Sequence, residues 1–492
     1  MKSFLTYGFR QMTAAVMTFS LMAAGGAQGA KPAAKEGEPF KEFVSRKNDR
    51  LMVGDRELRF VSINAPNIAI LEDEEVKLHL IDPKEQLDVI LTIDRLGGLV
   101  TRSYVLSVKK KGDKENRVRH VLAPGVFNEE AFVGLDYALF LANKHRIRII
   151  IPFVDNWHWW GGIKEYAEFR GKEAGAFWSD PQIREDFKKT ISYLVNRTNI
   201  FTGQKYRDDM AILCWETGNE LLATDEWTLD IAKYIKSLDP NHLVMDGKFD
   251  GASPFMQASE TILKSPYIDI VTNHYYEGHG KGHSFKARAS KDRALSKGKK
   301  PFVVGEFGLS KVDSMKEMLD EVIADGSSGA LIWSLRGHHR SGGFYHHKEY
   351  EQYFSFHYPG FESGKVYEEI AVFKMLIKAA FEIRGLPLPP LQPPTVPEIL
   401  EGSNPHAISF RGSVGGEYYK VERSPYYVGP WEVVGGRVMD DQNPFVPFKD
   451  AKAETGKKYF YRMSAINQAG SSEYSQIFGP TEVKAVPKNS GL

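Results

Sequence analysis

The sequence predicts a (β/α)8 barrel followed by a small all-β sandwich, and three observations carry that expectation. Short apolar runs recur at the spacing of βα units between about residues 59 and 334. Stretches with helical apolar periodicity separate them. After residue 385 a proline-rich segment intervenes, and the pattern changes to short alternating strands.

The whole chain sets the limits first. Its 492 residues exceed one ordinary domain, and 42% hydrophobic with 26% charged residues is a globular composition. With 64 basic against 63 acidic residues it lacks the basic excess that nucleic acid or an anionic membrane surface would favour, so neither is an expected partner. The single cysteine, Cys214, rules out an intramolecular disulfide and a cysteine-rich metal cage. Within Ala211-Ile212-Leu213-Cys214-Trp215 it reads as a small core side chain.

Taken in order, residues 1–30 read as an export signal. Lys2 and Arg10 supply charge, an apolar stretch covers 12–24, and small residues follow. That stretch is too short for a stable bilayer anchor, and no later segment is long and apolar enough to span one. The expected location is therefore secreted or periplasmic. Residues 31–40 form a polar lead-in, and Val53-Gly54-Asp55-Arg56 reads as a hairpin turn.

The barrel strands are expected at 59–64, 99–104, 148–154, 211–216, 242–246, 268–274, 302–306 and 330–334. Helices are expected at 84–96, 181–196, 226–238, 284–297, 314–324 and 366–381, the second with Pro181 in its first turn after Ser179 or Asp180. An open doubly wound sheet is the alternative. It would usually carry a glycine-rich turn after the first strand, and Ser62-Ile63-Asn64-Ala65-Pro66-Asn67 is not one. The expected domains are a catalytic barrel at 41–385, a linker at 386–395 and a β-sandwich at 396–487.

Functional groups of such barrels lie at the C-terminal strand ends. Those ends carry Asn64, Arg102, Asp155-Asn156-Trp157, Asn219-Glu220, Asp246, His274-Tyr275-Tyr276, Glu306 and Trp333. Trp215-Glu216-Thr217-Gly218-Asn219-Glu220 follows the fourth strand, and Val303-Val304-Gly305-Glu306-Phe307-Gly308 is the seventh. The two motifs resemble glycoside hydrolase family 5. Phe153-Val154-Asp155-Asn156-Trp157 with Gly161-Gly162 is most similar to its endo-β-mannanase branch.

The resemblance covers about residues 41–382. It implies Glu220 as acid/base and Glu306 as nucleophile of a retaining β-glycosidase, with β-1,4-mannan the favoured substrate. It further implies that Asn219 bonds the sugar 2-hydroxyl and that Trp333 is the stacking platform. Two carboxylates suit this chemistry, because one protonates the departing oxygen while the other attacks the anomeric carbon. Arg102 and Tyr276 are expected on Glu306, and His274 beside Glu220. Asn156 and Trp157 complete the substrate-binding set. Three departures are visible: Leu221 where proline is common, Gly218 where a larger residue is common, and Asp155 where asparagine is common.

No cofactor and no metal is expected, since His338, His339, His346 and His347 lack a ligand pattern with paired carboxylates. A β-linked polysaccharide or oligosaccharide is the expected partner, and the protein is expected to be a monomer. Other readings are a glycosidase for another β-linked glycan and a non-catalytic carbohydrate-binding barrel. The C-terminal strands resemble a fibronectin type III domain, with Tyr459 as corner tyrosine and Trp431 in the core. That tail is expected to be a spacer or interaction module with little effect on small substrates.

Overall fold

The computed structural model describes residues 39–72, 78–114, 117–249, 253–256, 258–350, 353–361 and 368–483. The expected export signal and the last residues of the expected sandwich lie outside them.

Eight parallel strands form the central sheet: β1 (Phe60–Ile63), β2 (Val100–Arg102), β3 (Arg148–Pro152), β4 (Ile212–Glu216), β5 (Leu243–Asp246), β6 (Ile270–Tyr275), β7 (Phe302–Phe307) and β8 (Gly329–Ile332). Their order is β1-β8-β7-β6-β5-β4-β3-β2. The two end strands meet without a regular ladder. Thr101 Oγ1 donates to Ile63 O at 2.8 Å, and Ala65 N donates to Arg102 O at 3.0 Å. The expected (β/α)8 barrel is thereby closed.

The helices after successive strands are α1 (Pro83–Arg95), α2 (Glu129–His145), α3 (Pro181–Asn196), α4 (Asp225–Leu238), α5 (Glu260–Lys264), α6 (Phe285–Ser296), α7 (Val312–Asp325) and α8 (Glu369–Glu382). Asp82 and Glu85 form a capping box at α1, and Asp180 accepts from Gln182 N and Ile183 N at α3.

Inside the barrel, Val100, Ile150, Leu213, Cys214, Leu243, Met245, Ile270, Val303 and Leu331 make an apolar plug. Val44 and Leu51 join it from the antiparallel strands Val44–Lys47, Arg50–Val53 and Arg56–Glu57, which include the expected turn at Gly54. Cys214 is a core side chain, as read from its neighbours. A second apolar layer fills the space between strands and helices.

Past the barrel, Glu398–Ile399 pairs with Phe410–Arg411. A separate sheet contains Tyr418–Ser424, Glu432–Val438, Lys458–Asn467, Gly470–Ser471 and Phe478–Glu482. Tyr419, Val421, Tyr461, Met463 and Ala465 alternate inward to a core with Ile408 and Phe410. Trp431 is outside that core, contrary to expectation: it is half-buried, with the Arg462 guanidinium 4.4 Å from its ring centroid. Tyr459 Oη accepts from Glu454 N at 3.3 Å.

These strands pack directly on the barrel. Lys84 of α1 pairs with Glu398 at 2.5 Å, and Arg95 Nη2 donates to Pro393 O at 2.9 Å. The His338 ring lies 2.8 Å from Asp88 of α1 and 3.4 Å from Asp440 of the tail. Phe445 covers the backbone of Gly342 and Gly343, in the loop after β8. The tail is thus in direct contact with α1 and with the loop after β8.

Candidate active site

Above the apolar plug the barrel interior turns polar. Arg102, at the end of β2, is fully buried and makes four hydrogen bonds. Its Nε and Nη2 donate to the Glu216 carboxylate at 2.6 and 3.1 Å. Nη1 donates to Glu306 Oε1 at 2.8 Å, and Nη2 also reaches Asn219 Oδ1 at 2.8 Å. Glu216, on β4, therefore holds Arg102 as a salt-bridge partner. Burial lowers the proton affinity of the guanidinium, but Glu216 and Glu306 outweigh it and keep the group charged.

Glu306 stands on β7, level with His274 of β6. Gly305 matters here, because a Cβ at that position would come within 2.8 Å of His274 Nε2. Tyr276 Oη donates to Glu306 Oε2 at 2.5 Å. The His274 Nδ1 lies 2.9 Å from Glu220 Oε1 and 3.4 Å from Glu306 Oε2. One ligand atom from each of Glu220, His274 and Glu306 lies within 4.8 Å of the others.

Burial raises the carboxyl pKa of both glutamates. At Glu306 this is opposed by His274, by Arg102 in direct contact and by the Tyr276 hydroxyl, which favour the anion. The direct partners of Glu220 are the neutral donor Trp157 Nε1 and His274, whose own pKa burial lowers. The two carboxyls thus differ in surroundings: Glu306 has the guanidinium and the phenol in direct contact, and Glu220 has the indole and the imidazole. Glu220 also has φ of +53°, a left-handed backbone that a non-glycine residue adopts at some cost.

The segment after β3 braces the segment after β4 at three successive positions. Asp155 Oδ1 accepts from Asn219 Nδ2 at 3.0 Å, Trp157 Nε1 donates to Glu220 Oε2, and Asn156 Oδ1 accepts from Leu222 N at 3.3 Å. The side chain of Asn156, expected on substrate, is engaged by the backbone of its neighbour loop. Trp157 is 38% exposed, so its indole can brace Glu220 and still present an edge to the cleft. Trp159 is exposed and Trp160 is buried at the rim. The departure at Gly218 has a steric cause: a Cβ there would lie 2.4 Å from Val154 O.

Trp333 N donates to Phe307 O at 2.8 Å. Its half-buried ring meets Tyr104 edge-on, with centroids 5.7 Å apart. Two supporting residues escaped sequence reasoning. Tyr104 donates to Asp155 Oδ2 at 2.9 Å; lying two residues beyond Arg102, it shares that residue's strand parity, which was the available signal. Glu349 Oε1 accepts from Ser334 at 2.9 Å and from Ser355 at 2.5 Å, and Glu349 also accepts from the Trp333 side chain. It belongs to a hairpin with no motif. Asp246 Oδ1 accepts from Lys248 N at 3.0 Å, which makes it a turn residue.

A cavity of about 480 Å³ is lined by Leu222, two residues after Glu220, and by Asp225, Lys248, Phe249 and Met256 among others. Among the described residues, Glu220, His274 and Glu306 are the group of three ligand-type side chains close enough to hold a metal ion. The guanidinium of Arg102 already supplies positive charge to Glu306. Chemically, the site presents two buried carboxyls, Glu220 and Glu306, close together with an imidazole between them.

Comparison with known proteins bears on that chemistry. A family model described as "GH family 5 beta-mannosidase-like" matches residues 41–319. Mannan endo-1,4-beta-mannosidase 1 of Arabidopsis thaliana is 26% identical over 265 residues, covering 44% of this chain and 64% of that protein. The matched segments span less than two thirds of the curated relatives, from 30 to 64% of the first three. An endo-beta-1,4-mannanase structure from Thermotoga petrophila is 20% identical with TM-score 0.55, covering 86% of this chain and 98% of that one. A family 5 mannosidase structure from Rhizomucor miehei is 18% identical with TM-score 0.55, covering 71% and 99%. At these identities the structures support the fold.

Proposed function

Because the chain belongs to glycoside hydrolase family 5, in its β-mannosidase-like group, we propose that it hydrolyses β-glycosidic bonds of a β-1,4-mannan with retention of configuration. The observation that carries this reading is the spacing of Glu220 and Glu306, whose oxygens approach within 4.8 Å. Retaining enzymes hold their carboxyls about 5–5.5 Å apart, whereas inverting ones leave about 6.5–9.5 Å for a water. The mannanase names of the relatives support the sugar assignment.

In this reading Glu306, kept anionic by Arg102 and Tyr276, attacks the anomeric carbon. Glu220 gives its proton to the departing oxygen, and the leaving sugar exits toward the cavity at Leu222 and Phe249. Glu220, now a base, takes a proton from water as that water breaks the Glu306 ester. Asn219 meets the 2-hydroxyl and Trp333 stacks on the sugar face. Trp157 acts chiefly on Glu220. The C-terminal strands, with the tyrosine at 459 bonded to its upstream backbone, are read as a fibronectin type III-like sandwich at 396–487.

The test is product analysis. Wild type acting on manno-oligosaccharides is expected to release a β-anomer first, and Glu306→Gln is expected to lose turnover on every β-glycan in a panel of mannans, glucans and aryl glycosides. An α-anomer as first product rejects retention, and full activity of the variant rejects the nucleophile.

A further inference from the structure

Asp155 is wholly buried between Tyr104, after β2, and Asn219, after β4. We propose that Asp155 is a positioning residue that fixes the amide of Asn219 and, through that amide, the hydrogen bond Asn219 offers to the sugar. The inference rests on the glycosidase reading above.

The argument is one of donor accounting. Asn219 Oδ1 accepts from Arg102 Nη2 at 2.8 Å, so its carbonyl is committed to the guanidinium that also holds Glu306. One N–H of Nδ2 is committed to Asp155 Oδ1 at 3.0 Å. The amide then has a single orientation, with its second N–H left for a ligand. Arg102 alone fixes only one end of the amide, which leaves it free to swing about that contact. The backbone repeats the constraint, since Asn219 N donates to Val154 O at 2.7 Å and Asn156 N donates to Asn219 O at 3.1 Å.

The second oxygen of Asp155 accepts from Tyr104 Oη at 2.9 Å, and the Tyr104 ring meets both Trp160 and Trp333 edge-on. One carboxyl therefore ties the platform side of the cleft to the acid side. The groups facing it are Tyr104 and the more distant Lys110 from the segment after β2, Asn219 and Glu220 from that after β4, and Trp157 N on its own segment. Burial raises the Asp155 carboxyl to about 7; the bonds from Asn219, Tyr104 and Trp157 N oppose this, and Glu220 adds to it. Protonated, it can donate to Tyr104 Oη while keeping its bond to Asn219. An asparagine here would keep both contacts, its oxygen on Asn219 and its amide N–H on Tyr104 Oη, but would not titrate.

The experiment is a double-mutant cycle in the full chain, using a nitrophenyl β-glycoside that wild type cleaves and its 2-deoxy analogue. Asp155→Ala is expected to lower kcat about 10- to 100-fold with KM within about twofold. The double variant Asp155→Ala/Asn219→Ala should be no slower than Asn219→Ala, and on the 2-deoxy analogue the Asp155→Ala loss should shrink below about threefold. Asp155→Asn, which keeps both contacts, should stay within about threefold of wild type. Additive losses, an equal loss on the 2-deoxy substrate, or wild-type kcat in Asp155→Ala would overturn the inference while wild type still turns over. If the alanine variant does not fold, Asp155→Asn decides: a loss above about tenfold overturns it. Absence of turnover in wild type itself rejects the glycosidase reading, and the positioning role with it.

Discussion

Arg102→Lys separates charge from geometry at the centre of the site. The guanidinium makes two bonds to Glu216, one to Glu306 and one to Asn219. An ammonium keeps the charge but presents its donors from one point, so it cannot span both carboxylates. It should remain with Glu216, which offers two acceptors, and release Glu306. A hydrogen bond to a charged group contributes about 1.5–3 kcal/mol. At about 1.36 kcal/mol per unit, losing the one that favours the Glu306 anion raises its pKa by about one to two units. Glu306 must be ionised to attack, so the acid limb of the kcat/KM profile should move up by that amount, with activity recovered at higher pH. The assay is kcat/KM against pH on a nitrophenyl β-mannoside, whose leaving group needs little help from Glu220. A folded variant with an unmoved acid limb, its rate reduced equally at all pH values, would refute the electrostatic reasoning.

The other predictions concern the acid and the tail. Trp157→Phe removes a donor that favours the Glu220 anion; the pKa of the acid should rise, moving the basic limb up by about half to one unit for a partly exposed indole. The same profile measurement checks it, and a downward shift contradicts it. For His338, burial lowers the pKa, but Asp88 and Asp440 outweigh it and raise it to about 9. Its pairing stabilises fully below the unfolded value near 6.5 and is lost as pH rises through about 9. Denaturant unfolding should show wild type losing a few kcal/mol between about pH 6 and 10, with a flatter curve for His338→Ala. Truncation after residue 385 should cut turnover of a small soluble glycoside more than about tenfold, because the loop after β8 loses its cover; unchanged turnover would restore the spacer reading.

Much of this was legible in the sequence, for identifiable reasons. All eight strands were expected within a few residues, since buried parallel strands are short apolar runs between turn signals. Helix α2 was not singled out, because its buried residues, among them Ala131, Phe132, Leu135 and Ala138, spread around the helix and blur the period. Arg102, His274, Tyr276 and Glu306 were found because the fold brings strand ends to one rim. What Asn156 and Trp157 face depends on how one loop lies over another, and no local pattern records it. The docking of the tail was equally hidden, since Lys84 and Glu398 meet across 314 residues of chain.

The closure of the barrel has a consequence for how the site is made. Between β1 and β2 the ring is joined by a threonine hydroxyl and by Ala65 N on the carbonyl of Arg102 itself. The residue that orders Glu216, Asn219 and Glu306 is thus a staple of the seam that lacks a regular ladder. One residue therefore serves the ring with its carbonyl and the carboxylates with its guanidinium, so a shift of the seam is carried directly to the site.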